Sequence, residues 1–340
     1  MFDPSRYAVK NNNLVGLPFT KNDAKIVLLP IPWDVTASSA KGTVDGPECL
    51  LEASYQLDLY DWDYQNAWQF GIYMDDIHDN LKEMNGLYRS FSDQHISMLE
   101  AGLPADPHVV RQINEGCVDM NNWVYNRCDQ LLNEDKMIGI IGGEHSVPFG
   151  FIKALSERYT SFGILQIDAH ADLRKSYEHL EYSHASIMYN VSEQIQSVTK
   201  IIQVGVREIC QDEIDYANHS DGKVIIHDMY SLRENITAKG LSYSDWVDRV
   251  IADLPDHVYI SFDIDGLDPK LCPGTGTPVP DGFELHETFL LIKRIVDSGR
   301  KIIGFDLCEV GSSSEWDGFV GAKVAYKLSN AMFASQQPTK

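Results

Sequence analysis

Two short runs concentrate the side chains best able to do chemistry: Asp168-Ala169-His170-Ala171-Asp172 and Asp263-Ile264-Asp265. In an extended segment side chains alternate, so Asp168, His170 and Asp172 are expected to point one way, and Asp263 and Asp265 likewise. A third segment, Gly142-Gly143-Glu144-His145-Ser146, adds His145. Carboxylates gathered this closely repel one another at low dielectric, and protonation or a bound cation relieves them. Two divalent cations would balance them. Carboxylate oxygens with a minority of imidazoles suit Mn²⁺, while nickel, cobalt or zinc also bind such donors. Paired ions activate water at neutral pH and hold it against a trigonal carbon, so hydrolysis needs no protein nucleophile.

Plainer readings exist for the same residues. Aspartates after strands are routine turn and cap residues, and that account suits Asp268-Pro269. A structural calcium site is the other alternative, but two histidines among the ligands count against a hard, all-oxygen shell. Aligned ligands on three separate segments make coincidence a poor explanation.

The elements that must position these groups can be read from apolar runs. Short β-branched stretches at 25–30, 137–141, 162–167, 201–206, 223–226, 257–264 and 301–307 alternate with helix-length segments. This is the rhythm of βαβ units around a buried parallel sheet. Residues 147–160 and 285–298 have the length of crossover helices. The expected fold class is α/β, a three-layer α/β/α sandwich with a mostly parallel central sheet. Both aspartate runs then fall at the C-terminal ends of strands, where open parallel sheets place their ligand sites. With no internal repeat, low-complexity tract or Pro/Ser-rich linker, residues 25–335 read as one catalytic domain behind an N-terminal extension, 1–24. The Tyr-, Trp- and Asp-rich segment 55–68 reads as aromatic packing under a surface loop, with a protein–protein surface as the alternative.

Composition narrows the function classes. The chain has 340 residues, 44% hydrophobic and 23% charged, enough to bury a large core. Lys plus Arg number 28 against 50 for Asp plus Glu, a formal charge of −22 that argues against nucleic-acid and anionic-membrane partners and favours a cationic substrate. No apolar run is long enough to span a bilayer and the N-terminus lacks a signal pattern, so a cytoplasmic location is expected. The six cysteines, Cys49, Cys117, Cys128, Cys210, Cys272 and Cys308, form no CxxC pair and read as reduced, mostly buried thiols.

These motifs, with Ser261-Phe262-Asp263-Ile264-Asp265-Gly266-Leu267-Asp268-Pro269, resemble the ureohydrolase (arginase and agmatinase) superfamily in order and spacing from about Lys25 onward. The resemblance implies an arginase-like fold and two Mn²⁺ ions per subunit, held by His145, Asp168, His170, Asp172, Asp263 and Asp265. It assigns His145, Asp168, Asp172 and Asp265 to one ion and His170, Asp168, Asp263 and Asp265 to the other, with Asp168 and Asp265 as bridges. It implies that Asp172 passes a proton to the leaving amine, that Glu309 in Phe305-Asp306-Leu307-Cys308-Glu309-Val310 pairs with a guanidinium, and that Thr277 lines the same pocket or holds its turn. His184, in Tyr182-Ser183-His184-Ala185-Ser186, falls where relatives carry a histidine that shuttles protons or contacts substrate. Arg207 resembles a structural family arginine. The remaining histidines lack a motif context. The resemblance also implies a homo-oligomer, a trimer or hexamer.

The implied reaction is hydrolysis of a guanidino C–N bond with release of urea. The loop Leu173-Arg174-Lys175-Ser176-Tyr177-Glu178-His179 departs from the Asn- and hydroxyl-rich arginase loop and looks like the agmatinase-like branch, so agmatine, giving putrescine and urea, is the expected substrate. Arg174 and Lys175 are cationic, as is the far end of agmatine, and would suit a guanidino acid better unless they turn outward or pair with Glu178 and Glu181. Guanidinobutyrate, guanidinopropionate, formiminoglutamate, guanidine and arginine therefore stay open. A non-catalytic metal-binding homologue and a single-zinc, deacetylase-like amide hydrolase are the readings of other kinds.

Overall fold

The structure, a computed structural model, describes residues 2–39 and 42–337, so Met1 of the expected N-terminal extension lies outside it. Eight strands form one sheet: β1 (Ile26–Ile31), β2 (Ile72–Met74), β3 (Met137–Gly142), β4 (Phe162–Ile167), β5 (Val198–Val204), β6 (Val224–His227), β7 (His257–Asp263) and β8 (Lys301–Cys308). Their order is β2-β1-β3-β8-β7-β4-β5-β6. Every neighbouring pair is parallel. Burial on both faces explains why most of these strands read as nearly continuous apolar runs. The apolar runs mark seven of them and pass over β2, whose three residues are too few to show a period. Pro30 sits inside β1 without breaking the sheet, because β2 pairs only with Ile26, Val27 and Leu28.

Alternate strand residues feed two cores. Ile26 and Leu28 of β1, Leu165 and Ile167 of β4, and Val258, Ile260 and Phe262 of β7 pack on one side. Val27, Leu29, Ile31, Phe162, Ile164 and Tyr259 pack on the other. The first face is covered by α1 (Gly46–Ser54), the pair α7 (Met229–Lys239) and α8 (Tyr243–Ala252), α9 (Leu285–Asp297) and α10 (Glu315–Ser335). The second is covered by α2 (Asp79–Glu100), α3 (Pro107–Asn133), α4 (Phe149–Ser156), α5 (Ile187–Gln194) and, through Tyr216 and Ala217, α6 (Gln211–Asn218). The result is a three-layer α/β/α sandwich. Among the described residues no helix is long and apolar enough to cross a membrane.

The sheet order creates the site. The chain passes from β3 to β4, which lies three places away, and only later fills the gap with β8 and β7. The C-terminal ends of β3, β8, β7 and β4 thus meet at a topological switch point.

Within residues 1–24, residues 13–17 are built into the sheet edge. Asn13 donates to the Ile72 carbonyl at 3.1 Å and accepts from the Met74 N–H at 2.8 Å. Leu14 and Leu17 are fully buried. The aromatic segment after α1 is strapped to α10: Lys327 donates to Asp61 at 2.8 Å and also reaches Asp63, Asn330 donates to Asp61 at 2.9 Å, and the Tyr326 hydroxyl donates to the Leu59 carbonyl at 2.8 Å. Trp62 projects outward, 86% exposed.

Burial works against the Asp61 carboxylate, but Lys327, Asn330 and the Asp63 backbone outweigh it and hold its pKa below the ordinary value. A depressed carboxylate pKa contributes stability that is complete above the unfolded pKa and lost as pH falls through the folded one. Lys327→Ala leaves Asp61 buried without its cation. Urea or guanidinium unfolding is expected to show a loss of about 3 kcal/mol at neutral pH, shrinking in acid.

Candidate metal centre and active-site pocket

The six residues expected to be ligands converge, though not by strand alternation. Only 162–167 and 257–263 are strand; Asp168 to Asp172 run on as loop, and Asp172 takes a left-handed backbone with φ of 54°. Asp263 ends β7 and caps the 3₁₀ turn Ile264–Gly266, accepting from the Asp265 N–H at 2.9 Å. The turn carries Asp265 toward His170, whose Nδ1 lies 3.1 Å from Asp265 Oδ2. Close backbone approach makes this packing possible. A Cβ on Gly143 would lie 2.1 Å from the Trp33 carbonyl oxygen, and one on Gly266 would lie 2.8 Å from the Asp168 nitrogen.

The expected ligands form two groups of donors, and a third set, His145–Asp306–Cys308, lies on the other side of the His145 ring. His145 Nδ1 lies 3.0 Å from Asp168 Oδ2, 3.1 Å from Asp172 Oδ2 and 3.3 Å from Asp263 Oδ2. His170 Nδ1 lies 3.1 Å from Asp265 Oδ2 and 3.6 Å from Asp168 Oδ1. The sets His145–Asp168–Asp263 and Asp168–His170–Asp265 each bring three ligand atoms within 4.8 Å of one another. Asp168 belongs to both, one oxygen to each. The division differs from the one the resemblance implied: Asp263, at the strand end, faces His145, whereas Asp265, carried round by the 3₁₀ turn, faces His170.

The donors fit divalent cations. His145 Nδ1 is buried with no hydrogen bond of proper geometry, yet three carboxylate oxygens surround it. Burial disfavours charge on His145, but the surrounding carboxylates push its pKa well above the ordinary value. His170 is likewise disfavoured by burial, but Asp168 and Asp265 push it up to about 12. Burial works to raise Asp168, yet the two imidazoles draw it down. Burial and the Asp168 charge push Asp172 up to about 7; burial, with Asp265 and Asp168, pushes Asp263 well up. Without a cation the centre must hold protons where ligands need lone pairs.

The far side of His145 is also specified. Its Nε2 lies 2.8 Å from Ser261 Oγ and 3.5 Å from Asp306 Oδ1, which fixes the ring and leaves Nδ1 to the carboxylates. Sequence reading missed Ser261 and Asp306. Both lie inside apolar strands, and only the β7–β8 register, which pairs Ser261 with Asp306, reveals their proximity.

A cavity of about 290 Å³ opens onto this centre, lined by His145, His170, Asp172 and Asp263, and by Arg174, His184, Thr277 and Glu309. Glu309 has a left-handed backbone, φ 61°, and accepts from the His145 N–H at 2.9 Å. Burial, then the charge of Glu144, pushes its carboxyl well above the ordinary value. Thr277 donates to Asp265 Oδ2 at 3.2 Å. Arg174 pairs with Glu213, not with Glu178 or Glu181: Nε lies 3.8 Å from Glu213 Oε2, and the guanidinium stacks 5.1 Å over the Tyr177 ring. Lys175 is exposed and is not part of the lining. Glu208, Glu213 and Tyr177 also line the wall; no motif marked the two glutamates. Arg207 lies behind it, donating to the carbonyls of Asp265 at 2.7 Å and Val279 at 2.8 Å, and so ties the Asp265 turn to the segment after Thr277.

A sequence model of the arginase family matches residues 24–333. The chain is 29% identical to an N(1)-aminopropylagmatine ureohydrolase of Synechocystis sp., covering 93% of this chain and 91% of that protein. It is 30% identical to a protein of the same name from Thermococcus kodakarensis, covering 91% of each. An agmatinase of Halalkalibacterium halodurans is 29% identical over 84% of each. Among solved structures, the agmatine ureohydrolase of Thermoplasma volcanium has a TM-score of 0.72 at 20% identity over 96% of both chains. Arginase from Medicago truncatula has a TM-score of 0.67 at 21% identity, covering 91% of this chain and 88% of that one. At those identities the structural likeness is one of fold.

The two groups make separable predictions for metal content, measured by mass spectrometry of the purified, reloaded protein. Asp168→Ala, which removes a donor common to both groups, is expected to leave less than one equivalent per chain. Asp265→Ala is expected to retain about one, on the His145 side. Two equivalents in Asp265→Ala would show the grouping to be wrong.

Proposed function

Because the chain belongs to the arginase family, whose enzymes are metal-dependent amidinohydrolases, we propose that it hydrolyses the guanidino C–N bond of agmatine, yielding putrescine and urea, with two Mn²⁺ ions at the His145 and His170 groups. The observation that carries the substrate is the charge of the pocket wall. With Asp172 and Asp263 given over to the metal centre and Glu213 paired with Arg174, the carboxylates of the lining left to meet a substrate are Glu208 and Glu309. A substrate positive at both ends suits that wall, while a guanidino acid would bring a further carboxylate to it.

Bound cations would supply an activated water and positive charge beside the scissile carbon. The chain's own residues do the rest. Glu309, buried beside His145, offers a carboxylate to the planar guanidinium, and that pairing offsets the burial that otherwise disfavours its charge. Asp172 lies where the centre meets the cavity and is placed to carry a proton from the attacking water to the departing amine. Thr277 steadies Asp265 through its hydroxyl. The relatives named for N(1)-aminopropylagmatine support a second reading, in which the amine end carries an aminopropyl group toward Glu208.

A urea-release panel decides between substrates. Agmatine and its N-aminopropyl derivative are expected to exceed guanidinobutyrate, guanidinopropionate, arginine and guanidine by about tenfold or more in kcat/KM. Formiminoglutamate, followed by formamide release, belongs in the same panel. Preference for any of the acids or for guanidine would overturn the proposal. Glu309→Gln is expected to lower kcat/KM for agmatine by about a hundredfold, through loss of a buried charge pair, with metal content unchanged.

A further inference from the structure

His184 is the cavity's imidazole that stands in neither donor group, and its setting is built from three distant parts of the chain. Glu144 is fully buried and accepts three hydrogen bonds: from the Thr36 N–H at 2.8 Å, from the Thr36 hydroxyl at 2.7 Å and from the Ser146 hydroxyl at 2.8 Å. The Thr36 hydroxyl has one proton and gives it to Glu144, so toward its other neighbours its oxygen only accepts. Those neighbours belong to His184, whose backbone N–H donates to it at 3.0 Å and whose Nδ1 lies 3.4 Å away. Ser183 Oγ lies slightly further from Nδ1, at 3.5 Å. The nearer of the two, the Thr36 oxygen, has no proton to offer, so contact with it places the hydrogen on Nδ1, and Ser183 Oγ, which already accepts from the Ala185 N–H at 3.3 Å, serves as a second acceptor. The Tyr177 ring packs edge-on at 5.8 Å and limits rotation of the imidazole.

The support is itself rigid. Thr36 follows β1 in a loop that Arg89 of α2 clamps at the carbonyls of Asp34 and Ala37, at 2.5 and 2.8 Å, while Asn85 pairs with Asp34. The Glu144 N–H donates to the Trp33 carbonyl at 2.8 Å, which holds the loop beside the segment that carries His145.

We propose that Thr36 and Glu144 are positioning residues for His184: they fix its neutral tautomer with the proton on Nδ1, so that Nε2 presents a lone pair to the cavity. A lone pair there accepts a hydrogen bond from a guanidinium or amine N–H and can receive its proton, whereas the opposite tautomer would present a donor to a substrate that is already all donors. The inference rests on the reading of the pocket as a guanidino-amine site, but the tautomer can be measured without any substrate.

The test uses the full-length chain loaded with diamagnetic zinc and labelled with ¹⁵N-histidine. Two-bond ¹H–¹⁵N correlation spectra should show His184, identified by its loss in His184→Asn, as the Nδ1–H form. Thr36→Val should shift it toward Nε2–H and Thr36→Ser should restore it. Glu144→Gln, which places an amide donor against the Thr36 hydroxyl and so frees that proton for Nδ1, should also shift it. Kinetically, Thr36→Val should lower kcat about tenfold with metal content unchanged, Thr36→Ser should recover most of it, and Thr36→Val should add no loss in a His184→Ala background. An Nε2–H signal in the unmodified protein, or a Thr36→Val loss that persists in full without His184, would overturn the inference. A protein that releases urea from no guanidino amine would overturn the functional reading instead, and the spectra would still decide the tautomer.

Discussion

The structure depends on keeping carboxylates where water cannot solvate them. Asp168, Asp172, Asp263, Asp265, Asp306 and Glu309 are all buried around His145 and His170. Isolated buried charges of one sign cost several kcal/mol each, and the opposite charge of two imidazoles is too little to offset this number. Divalent cations remove the conflict, because they turn mutual repulsion into shared coordination. The surrounding sheet must then present these oxygens rigidly enough that the cations, rather than relaxation of the chain, resolve the repulsion.

A parallel sheet with a switch point meets that requirement economically. Four strand ends converge, and the donors sit on or just beyond them, on short segments anchored by backbone that the ladder already holds in register. Two of the departures from regular backbone aim a side chain into the site. Asp172 and Glu309 both adopt positive φ, a conformation that costs a non-glycine residue of order 1 kcal/mol, and both line the cavity. Strain at these two residues, with glycine at positions 143 and 266 where backbone or carbonyl comes too close for a Cβ, shapes the backbone around the site.

Much of this is legible in the sequence. The seven longer strands declare themselves because a strand covered on both faces must be apolar throughout, and the aspartate–histidine runs stand out because they follow such strands abruptly. The rest depends on neighbours that sequence does not order. Ser261 and Asp306 become partners of His145 only because β7 and β8, last in the chain, insert beside β3. Strand alternation points to the right residues through the wrong geometry, since a 3₁₀ turn at Asp263 and a left-handed Asp172 replace extended backbone. The same turn sends Asp265 to His170 and leaves Asp263 with His145. Arg174 illustrates the limit most clearly: as a residue it argues for an anionic substrate, and only the spatial position of Glu213, 39 places later, cancels its charge.

Glu213 shows how one carboxylate can serve both frame and pocket. It accepts from the Cys210 N–H at 3.0 Å, closing the first turn of α6, and from the Leu173 N–H at 3.0 Å, holding the loop that follows Asp172. Its position beside Arg174 is therefore set by backbone bonds, while the partly exposed Arg174 side chain reaches it at 3.8 Å and packs on the Tyr177 ring. The loop that sets the cavity's charge is thus anchored by the group that balances it. The fold links the geometry of Asp172, at the reacting end, to the electrostatics at the substrate's far end through a single buried side chain.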